Sequence, residues 1–244
     1  MSDNTLSTRI EQFAPELERI ISTSERIEYL ADGYGGAQGP AEGPLWWKEG
    51  DYLLFSDIHN NRRMKYQPGA GVSLFQEPTN RANGLTRDLQ GRLIACEHDS
   101  RRVTRQELDG SITVIANSFQ GRRLNRPNDV VVRSDGCIYF TDPWTSPVAP
   151  EQWDLTFAGV YRVTPDLGTL SLLADDFVLP NGLAFSPDGN ILYMQGEDSV
   201  HGAPATTNLA FGGEDWKTIY FTSRNHLGSV KVKISGMPVP VAAK

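Results

Sequence analysis

Five oxygen-bearing side chains stand at equivalent points of five short, β-rich segments: Glu42 in EGPLWWKEGDYLLFSD, Asn83 in NGLTRDLQGRLIAC, Asn128 in NDVVVRSDGCIYFTD, Asn181 in NGLAFSPDGNILYM and Asn208 in NLAFGGEDWKTIYFTS. Brought together, a carboxylate and several amide carbonyls would form a hard, all-oxygen donor set. Such a set suits calcium, magnesium or manganese, and suits zinc less, because zinc favours His and Cys. Asparagine also caps turns by bonding its own backbone, and that reading accounts for any one of the four taken alone. A turn has no use for the charge of Glu42, which tips the set towards ligation, with Glu42, Asn128 and Asn181 as the expected metal ligands. Other chemistries find less support: His59, His98, His201 and His226 have no paired metal spacing, and no G-x-S-x-G elbow offers a nucleophilic serine. His98, in CEHDSRR at the end of an inner strand, is a candidate to face the same cavity, although a hydrogen-bonded structural histidine fits the position as well. Asp135 in SDG and Asp188 in SPDG are expected in hairpin turns.

The elements that must position these side chains are repeats. Each segment runs from its head residue through alternating apolar residues to a tight turn and a second apolar strand, and in several of them Asp-Gly supplies the positive φ of that turn. Between these hairpins lie outer strand pairs such as RVTRQELDGSITVIA and GVYRVTPDLGTLSLLA. A unit of about four strands recurring every 40–50 residues is the pattern of propeller blades, whose inner strands surround a central channel. Identical register on successive blades then means convergence on one axis. The heads at 42, 83, 128 and 181 are 41, 45 and 53 residues apart, but only 27 residues separate 181 from 208. That interval cannot hold a blade, so about 60 residues are missing from the array. The loop-like QGEDSVHGAPATT marks the place, around residues 195–207. The expectation is an all-β β-propeller over residues 33–244, with five blades or an incomplete ring. A short helix interrupted at Pro15, carrying Ile10, Phe13, Leu17, Ile20 and Ile21, is expected in an N-terminal extension over 1–32. The C-terminal KTIYFTSRNHLGSVKVKIS offers strands that can pair with N-terminal ones.

Bulk composition narrows the partners. A chain of 244 residues and 27.0 kDa with 39% hydrophobic and 22% charged residues is that of an ordinary one-domain globular protein. No apolar run approaches the roughly 18 residues of a membrane span. The net charge of -7 disfavours nucleic acid and anionic lipid. Arg101-Arg102 and Arg122-Arg123 are expected on solvated loops, and Cys96 and Cys137 in small buried apolar positions. The N-terminal MSDNTLSTRI has neither a basic start nor an apolar stretch, so a cytoplasmic location is expected. The oligomeric state is left open.

EGPLWW with the FSDI that follows, NGLTRDLQGRLIACEH, RPNDVVVRSDGCIYFTDP and LPNGLAFSPDGNILY together resemble the gluconolactonase, senescence marker protein and luciferin-regenerating family. The likeness covers roughly residues 28–194 and resumes at TNLAFGGEDWKTIYFTS. It implies a six-bladed propeller with a divalent cation at the top of the channel, calcium first and magnesium, manganese or zinc as alternatives, hydrolysing a small sugar lactone. By motif position, Glu42, Asn128 and Asn181 would be metal ligands or near-ligands, and Arg126 would contact substrate, with Asn83 and His98 as further substrate-binding candidates. A surface arginine beside a proline is the other reading of Arg126. The family also carries a metal-binding Asp with a general-base role on a following PDG-type hairpin, and here the chain runs from LYMQGEDSV straight to ATTNLAFGG. With that Asp absent no catalytic residue is assigned, activity is expected to be weak or lost, and a non-catalytic propeller-like binding protein or a truncated lactonase product is the alternative.

Overall fold

The structure, a computed structural model, describes residues 10–36, 40–144, 153–177, 179–196, 206–223 and 225–240. Glu197, Asp198 and His201, at the expected deletion, lie outside the described residues. Among the described residues twenty strands follow one another in chain order. β1 (Glu28–Ala31) comes first. β2 (Ala41–Trp47), β3 (Tyr52–Asp57), β4 (Arg62–Gln67) and β5 (Gly71–Gln76) make one antiparallel sheet, and β6 (Ala82–Arg87), β7 (Leu93–Glu97), β8 (Arg102–Gln106) and β9 (Ile112–Ala116) the next. A small hairpin, β10 (Ser118–Phe119) and β11 (Arg122–Arg123), precedes a third sheet of β12 (Val130–Val132), β13 (Ile138–Asp142), β14 (Gly159–Val163) and β15 (Leu170–Ala174). The fourth contains, among the described residues, β16 (Pro180–Phe185) and β17 (Leu192–Gly196). The last is β18 (Thr206–Gly212), β19 (Thr218–Ser223) and β20 (His226–Lys231), completed on its outer edge by β1 through pairs such as Glu28 with Ser229. The N-terminal chain thus supplies the outer strand of the last blade, which ties the two ends of the chain together.

The burial of each strand follows from its distance to the axis. Inner strands are covered on both faces by neighbouring blades, so β2 and β6 are buried almost throughout, whereas the outer β5 is mostly exposed. The apolar core is divided among the blade interfaces. Trp46 and Phe55 meet Tyr220 and Leu227 between the last and first blades, with Trp46 stacked on Tyr220 at 5.1 Å. Leu45 and Leu54 meet Leu85 and Leu93 between the first and second. Ile94, Cys96 and Val103 meet Val130, Phe140 and Tyr161 between the second and third, and Tyr139 meets Leu183 and Phe185 between the third and fourth. Each such side chain, fully buried, contributes about 1.5–3 kcal/mol.

Two sequence expectations take a particular form. The short N-terminal helix is a 3-10 turn over Pro15–Arg19 with no buried residue, and Phe13 beside it is 93% exposed. Five residues headed by a proline bury no apolar face, and the segment is held instead by polar bonds, from Lys233 N to Ile20 O at 2.7 Å and from Lys233 Nζ to Glu18. The gap in the repeat is a fourth blade that is two-stranded among the described residues. Its effect is visible at one register position: Tyr139 on β13 is covered edge-on by Phe185 of the next sheet at 4.9 Å, whereas the equivalent Tyr193 on β17 is 57% exposed. One loop expectation is corrected. Arg101 does not face solvent: its guanidinium bonds the carbonyls of Leu124 and Asn125 and pairs with Asp154, while Arg102 pairs with Glu97. Only Arg122 and Arg123, on the β10–β11 hairpin, are exposed. Cys96 and Cys137 are free thiols, both buried.

Candidate functional site at the heads of the inner strands

The heads are brought together by backbone contacts between successive blades. Gly84 N donates to Asn128 O at 2.8 Å, which lays the second head against the third. A hydroxyl at the end of the second strand performs the same task elsewhere: Ser56 Oγ donates to Asn83 O at 2.6 Å, and Thr141 Oγ1 to Asn181 O at 2.8 Å. Between last and first blades, Thr207 Oγ1 donates to Ala41 O at 2.8 Å, beside Glu42. The glycine that follows the head is required by this approach. A Cβ on Gly84 would lie 2.6 Å from Asn128 O and 2.7 Å from the Asp129 Cα, both on the neighbouring blade. The matching Gly182 of the two-stranded blade has nothing nearer than Gln195 Oε1 at 3.7 Å. Gly84→Ala is therefore expected to lower stability by about 1–3 kcal/mol in urea unfolding, while Gly182→Ala stays within about 0.5 kcal/mol. Equal losses at both positions would refute the inter-blade origin of the motif.

Glu42, Asn83 and Asn128 are all buried, and Asn181 is half-buried. Asn83 Oδ1 and Asn128 Oδ1 have no hydrogen-bond partner, an arrangement that costs about 1–3 kcal/mol for each buried acceptor. Two carbonyl oxygens held without donors on adjacent blades are placed for a cation or for a ligand hydroxyl. Among the described residues no group of three or more His, Cys, Asp or Glu side chains could hold a metal ion, so a cation here would rest mainly on amide oxygens with Glu42. The donor set is hard, as calcium or magnesium requires.

The charged groups at the mouth are Arg81, paired with Asp99 at 3.6 Å, and Arg126. His98 is buried with Nε2 3.3 Å from Asn83 Nδ2, and an amide N–H on that side requires Nε2 to be the unprotonated acceptor. Burial, helped by the charges of Arg126, His59 and Arg81, pushes the His98 imidazole down to about 3, so it is neutral at physiological pH. His59 is lowered for the same reasons, first by burial and then by Arg81 and Arg126. Arg126 is half-buried, its own value lowered by burial against the attraction of Asp99. Arg81, Arg126, His59 and His98 therefore share one rim.

A family model described as the SMP-30/gluconolactonase/LRE-like region matches residues 40–204, more than half of the chain. The chain belongs to this family. It is 32% identical over 215 residues to a gluconolactonase of Zymomonas mobilis, an overlap of 81% of this chain and 59% of that protein, so it spans about three fifths of that relative's length. Among solved structures, a gluconolactonase of Xanthomonas campestris superposes with a TM-score of 0.77 at 27% identity, covering 92% of this chain and 94% of that one. A calcium-binding protein, regucalcin, of Agrobacterium tumefaciens superposes with a TM-score of 0.63 at 14% identity over 88% and 98% of the two chains, a likeness of fold.

Within this member of the SMP-30/gluconolactonase/LRE-like family, one further residue stands at the site that the repeat alone did not single out. Asp129, directly after Asn128, is buried, and its Oδ2 accepts from Leu183 N at 3.1 Å. Burial raises its carboxyl to about 6 against the opposing bonds from Leu183, Val130 and the Asn208 side chain. Asn208 is thereby drawn to a carboxylate on the third blade, and its Oδ1 accepts from Leu209 N at 2.7 Å. Its side chain thus reaches from the last blade to the third. The signal for Asp129 was an acid at the position that is glycine after Glu42, Asn83 and Asn181. Farther along the inner strands the channel opens into a cavity of about 390 Å³, lined by Leu45, Leu85, Val130, Leu183 and Leu209, with Asp129 on its wall. Asp135 and Asp188 are turn residues: Asp135 accepts from Cys137 N, and Asp188 from Ser186 Oγ and Asn190 N.

Proposed function

We propose that this chain is a sugar lactone hydrolase that depends on a divalent cation, calcium first among the candidates, and turns over slowly. The observation that carries the reading is the pair of buried, unpartnered carbonyl oxygens of Asn83 and Asn128 beside the Glu42 carboxylate on consecutive blades. Its support from relatives is the gluconolactonase of Zymomonas mobilis and, for the choice of calcium, the calcium-binding regucalcin of the same fold. Glu42, Asn128 and Asn181 would hold the cation, and Asn83, His98 and Arg126 would contact the lactone. When bound, the cation supplies Lewis-acid polarisation of the ring carbonyl.

The chain's own residues do the rest. Neutral His98 keeps the Asn83 amide turned so that its Oδ1 faces the ligand side, and it has no proton to give on Nε2. Arg126 and Arg81 attract the electron-rich lactone and hold the carboxylate that ring opening produces. No described side chain is assigned the proton of the attacking water, because the family's PDG-hairpin Asp has no counterpart in this sequence. That absence costs about 10²–10⁴ in rate. A cytoplasmic setting without nucleic-acid or membrane partners belongs to the same reading, and the net charge of -7 disfavours nucleic acid and anionic lipid.

The test is pH-stat hydrolysis of gluconolactone by the full chain with calcium and with EDTA. A slow, calcium-dependent rate above the spontaneous one is expected; turnover unchanged by EDTA would overturn the cation, and no turnover with a calcium-dependent thermal shift would point to the second reading. That reading, a cation-binding propeller without catalysis, is favoured by the two-stranded fourth blade. Arg126→Leu separates binding from chemistry: KM is expected to rise about tenfold, the effect of roughly 1.4 kcal/mol of uniform binding, with kcat little changed. A fall in kcat at constant KM would instead place Arg126 at the transition state.

A further inference from the structure

Two arginines are buried among the described residues, Arg63 and Arg87, and they are treated differently. Arg87 is neutralised twice over, by a two-pronged pair with Glu49 at 2.7 and 3.1 Å and by the face of Trp47 at 4.0 Å. Arg63, only 4% exposed on β4, has a single side-chain bond, from Nη1 to the neutral Gln76 Oε1 at 2.8 Å, and its Nε has no partner. The carboxylate that it senses is Glu97, whose oxygens are already occupied by Asn80 at 3.0 Å, Arg102 at 2.7 Å, Thr104 at 2.9 Å and a short bond from Ser100. Glu97 and Arg102 form a neutral pair. The charge of Arg63 is surplus.

Arg63 borders a cavity of about 90 Å³ between the first and second blades, whose wall also carries Glu97, Gln76, Thr79, Asn80, Arg102 and Thr104. A guanidinium has five N–H donors and no acceptor, so what satisfies the unpartnered one must be an acceptor, and what balances the charge must be an anion. The cavity admits a few heavy atoms. A second negative charge would face Glu97 across it, which selects a monovalent ion. We propose that Arg63 forms a binding site for a small monovalent inorganic anion of the chloride class, buried between the first two blades. The site is independent of the cation-binding heads, and it lies beneath the loop through Asn80 that leads to Arg81 and Asn83.

The experiment uses the full chain and chloride itself. Thermal unfolding is compared at about pH 8 in sodium chloride and in sodium 2-(N-morpholino)ethanesulfonate, whose anion carries a morpholine ring and is far bulkier than a halide, at equal ionic strength of about 0.15 M. If chloride stands at ten times its dissociation constant, the melting temperature is expected to be higher in chloride by about 3–6 °C. Arg63→Met, which keeps the stem and removes the charge, should erase that difference. Crystals of the unaltered chain soaked in bromide should give an anomalous peak within hydrogen-bond reach of the Arg63 guanidinium. That measurement decides the question even where Arg63→Met fails to fold. Equal melting in the two salts, a chloride effect that survives in Arg63→Met, a bromide peak absent from this cavity, or a shift with phosphate and none with halide would each overturn the proposal.

Discussion

Replacing Glu42 with glutamine is expected to remove the calcium-dependent rise in melting temperature and to lower cation affinity by more than the ~10–100-fold typical of losing a supporting group around a metal. The reasoning is one of charge. Asn128 and Asn181 bring neutral carbonyl oxygens, so Glu42 carries the formal charge of the expected ligand set, and the affinity of hard-cation sites follows ligand charge. Glutamine keeps the side-chain volume and can still accept from Gly43 N, now 3.3 Å from Glu42 Oε2. The cation-free protein should therefore melt within a few degrees of the original. Calorimetry with calcium gives the affinity, and lactone hydrolysis in the same buffers should lose its calcium dependence. A variant that binds calcium as tightly as the original would remove Glu42 from the site, and with it the proposed cation chemistry. Asn128→Ala is a milder companion, since it deletes an uncharged donor whose Oδ1 is already without a partner.

The repeat was legible because propeller geometry turns linear register into spatial proximity. With Glu42, Asn83, Asn128 and Asn181 at equivalent positions, their meeting near one axis follows from the strand plan, and the 27-residue interval before Asn208 falls beside the blade that has two strands among the described residues. The same register argument misjudged Asn208. Pairing NGLAF at 181 with TNLAF at 207 places Thr207, not Asn208, opposite Asn181, and Thr207 is the residue whose hydroxyl ties the last blade to Ala41. A one-residue slip changes which side of a strand a side chain occupies, and the family of asparagines hid it. Electrostatic partners were less legible still. Arg62 and Arg102 meet Asp57 and Glu97 of their own blades, whereas the carbonyls of Leu124 and Asn125 and the Asp154 carboxylate that hold Arg101 lie beyond its blade, and nothing in the dipeptides themselves distinguishes the members of each pair.

Carboxylates at the ends of the second strands show how far such a partner can alter one residue. Asp57, Glu97 and Asp142 close FSD, ACE and FTD, and each accepts bonds that pin an adjoining loop. Asp57 is paired with Arg62 and Glu97 with Arg102, in both cases five residues later. Five residues after Asp142 stands Pro147. The third blade keeps the acid without its arginine: Asp142 Oδ2 accepts from Asn125 N at 2.7 Å, while Oδ1, fully buried, has no partner. Burial raises the Asp142 carboxyl to about 8, against the opposing backbone bonds from Asn125 and Arg126 and the charge of Arg101.

Asp142→Asn is accordingly expected to stabilise the protein at pH 8 and to change little at pH 4. An ordinary aspartate loses its proton near pH 3.9 in the unfolded chain, whereas Asp142 keeps it to about 8 in the fold. Between those values the folded state binds the extra proton, so folding loses stability as pH rises, by at most about 1.4 kcal/mol for each pH unit, and the loss levels off above 8. Asparagine has no such proton to lose and retains a carbonyl to accept from Asn125 N. The difference between the two proteins in urea unfolding should thus widen steadily from pH 4 to pH 8, while the titrations common to both cancel in it. Parallel stability profiles would mean that Asp142 is ionised in the fold, with Arg101 supplying the neutralisation that Arg62 and Arg102 give its counterparts. A widening gap would establish the third blade as the one place where this repeated strand-end acid is held as a neutral hydrogen-bonding group, next to the loop from Asn125 to Asn128 on which the candidate site depends.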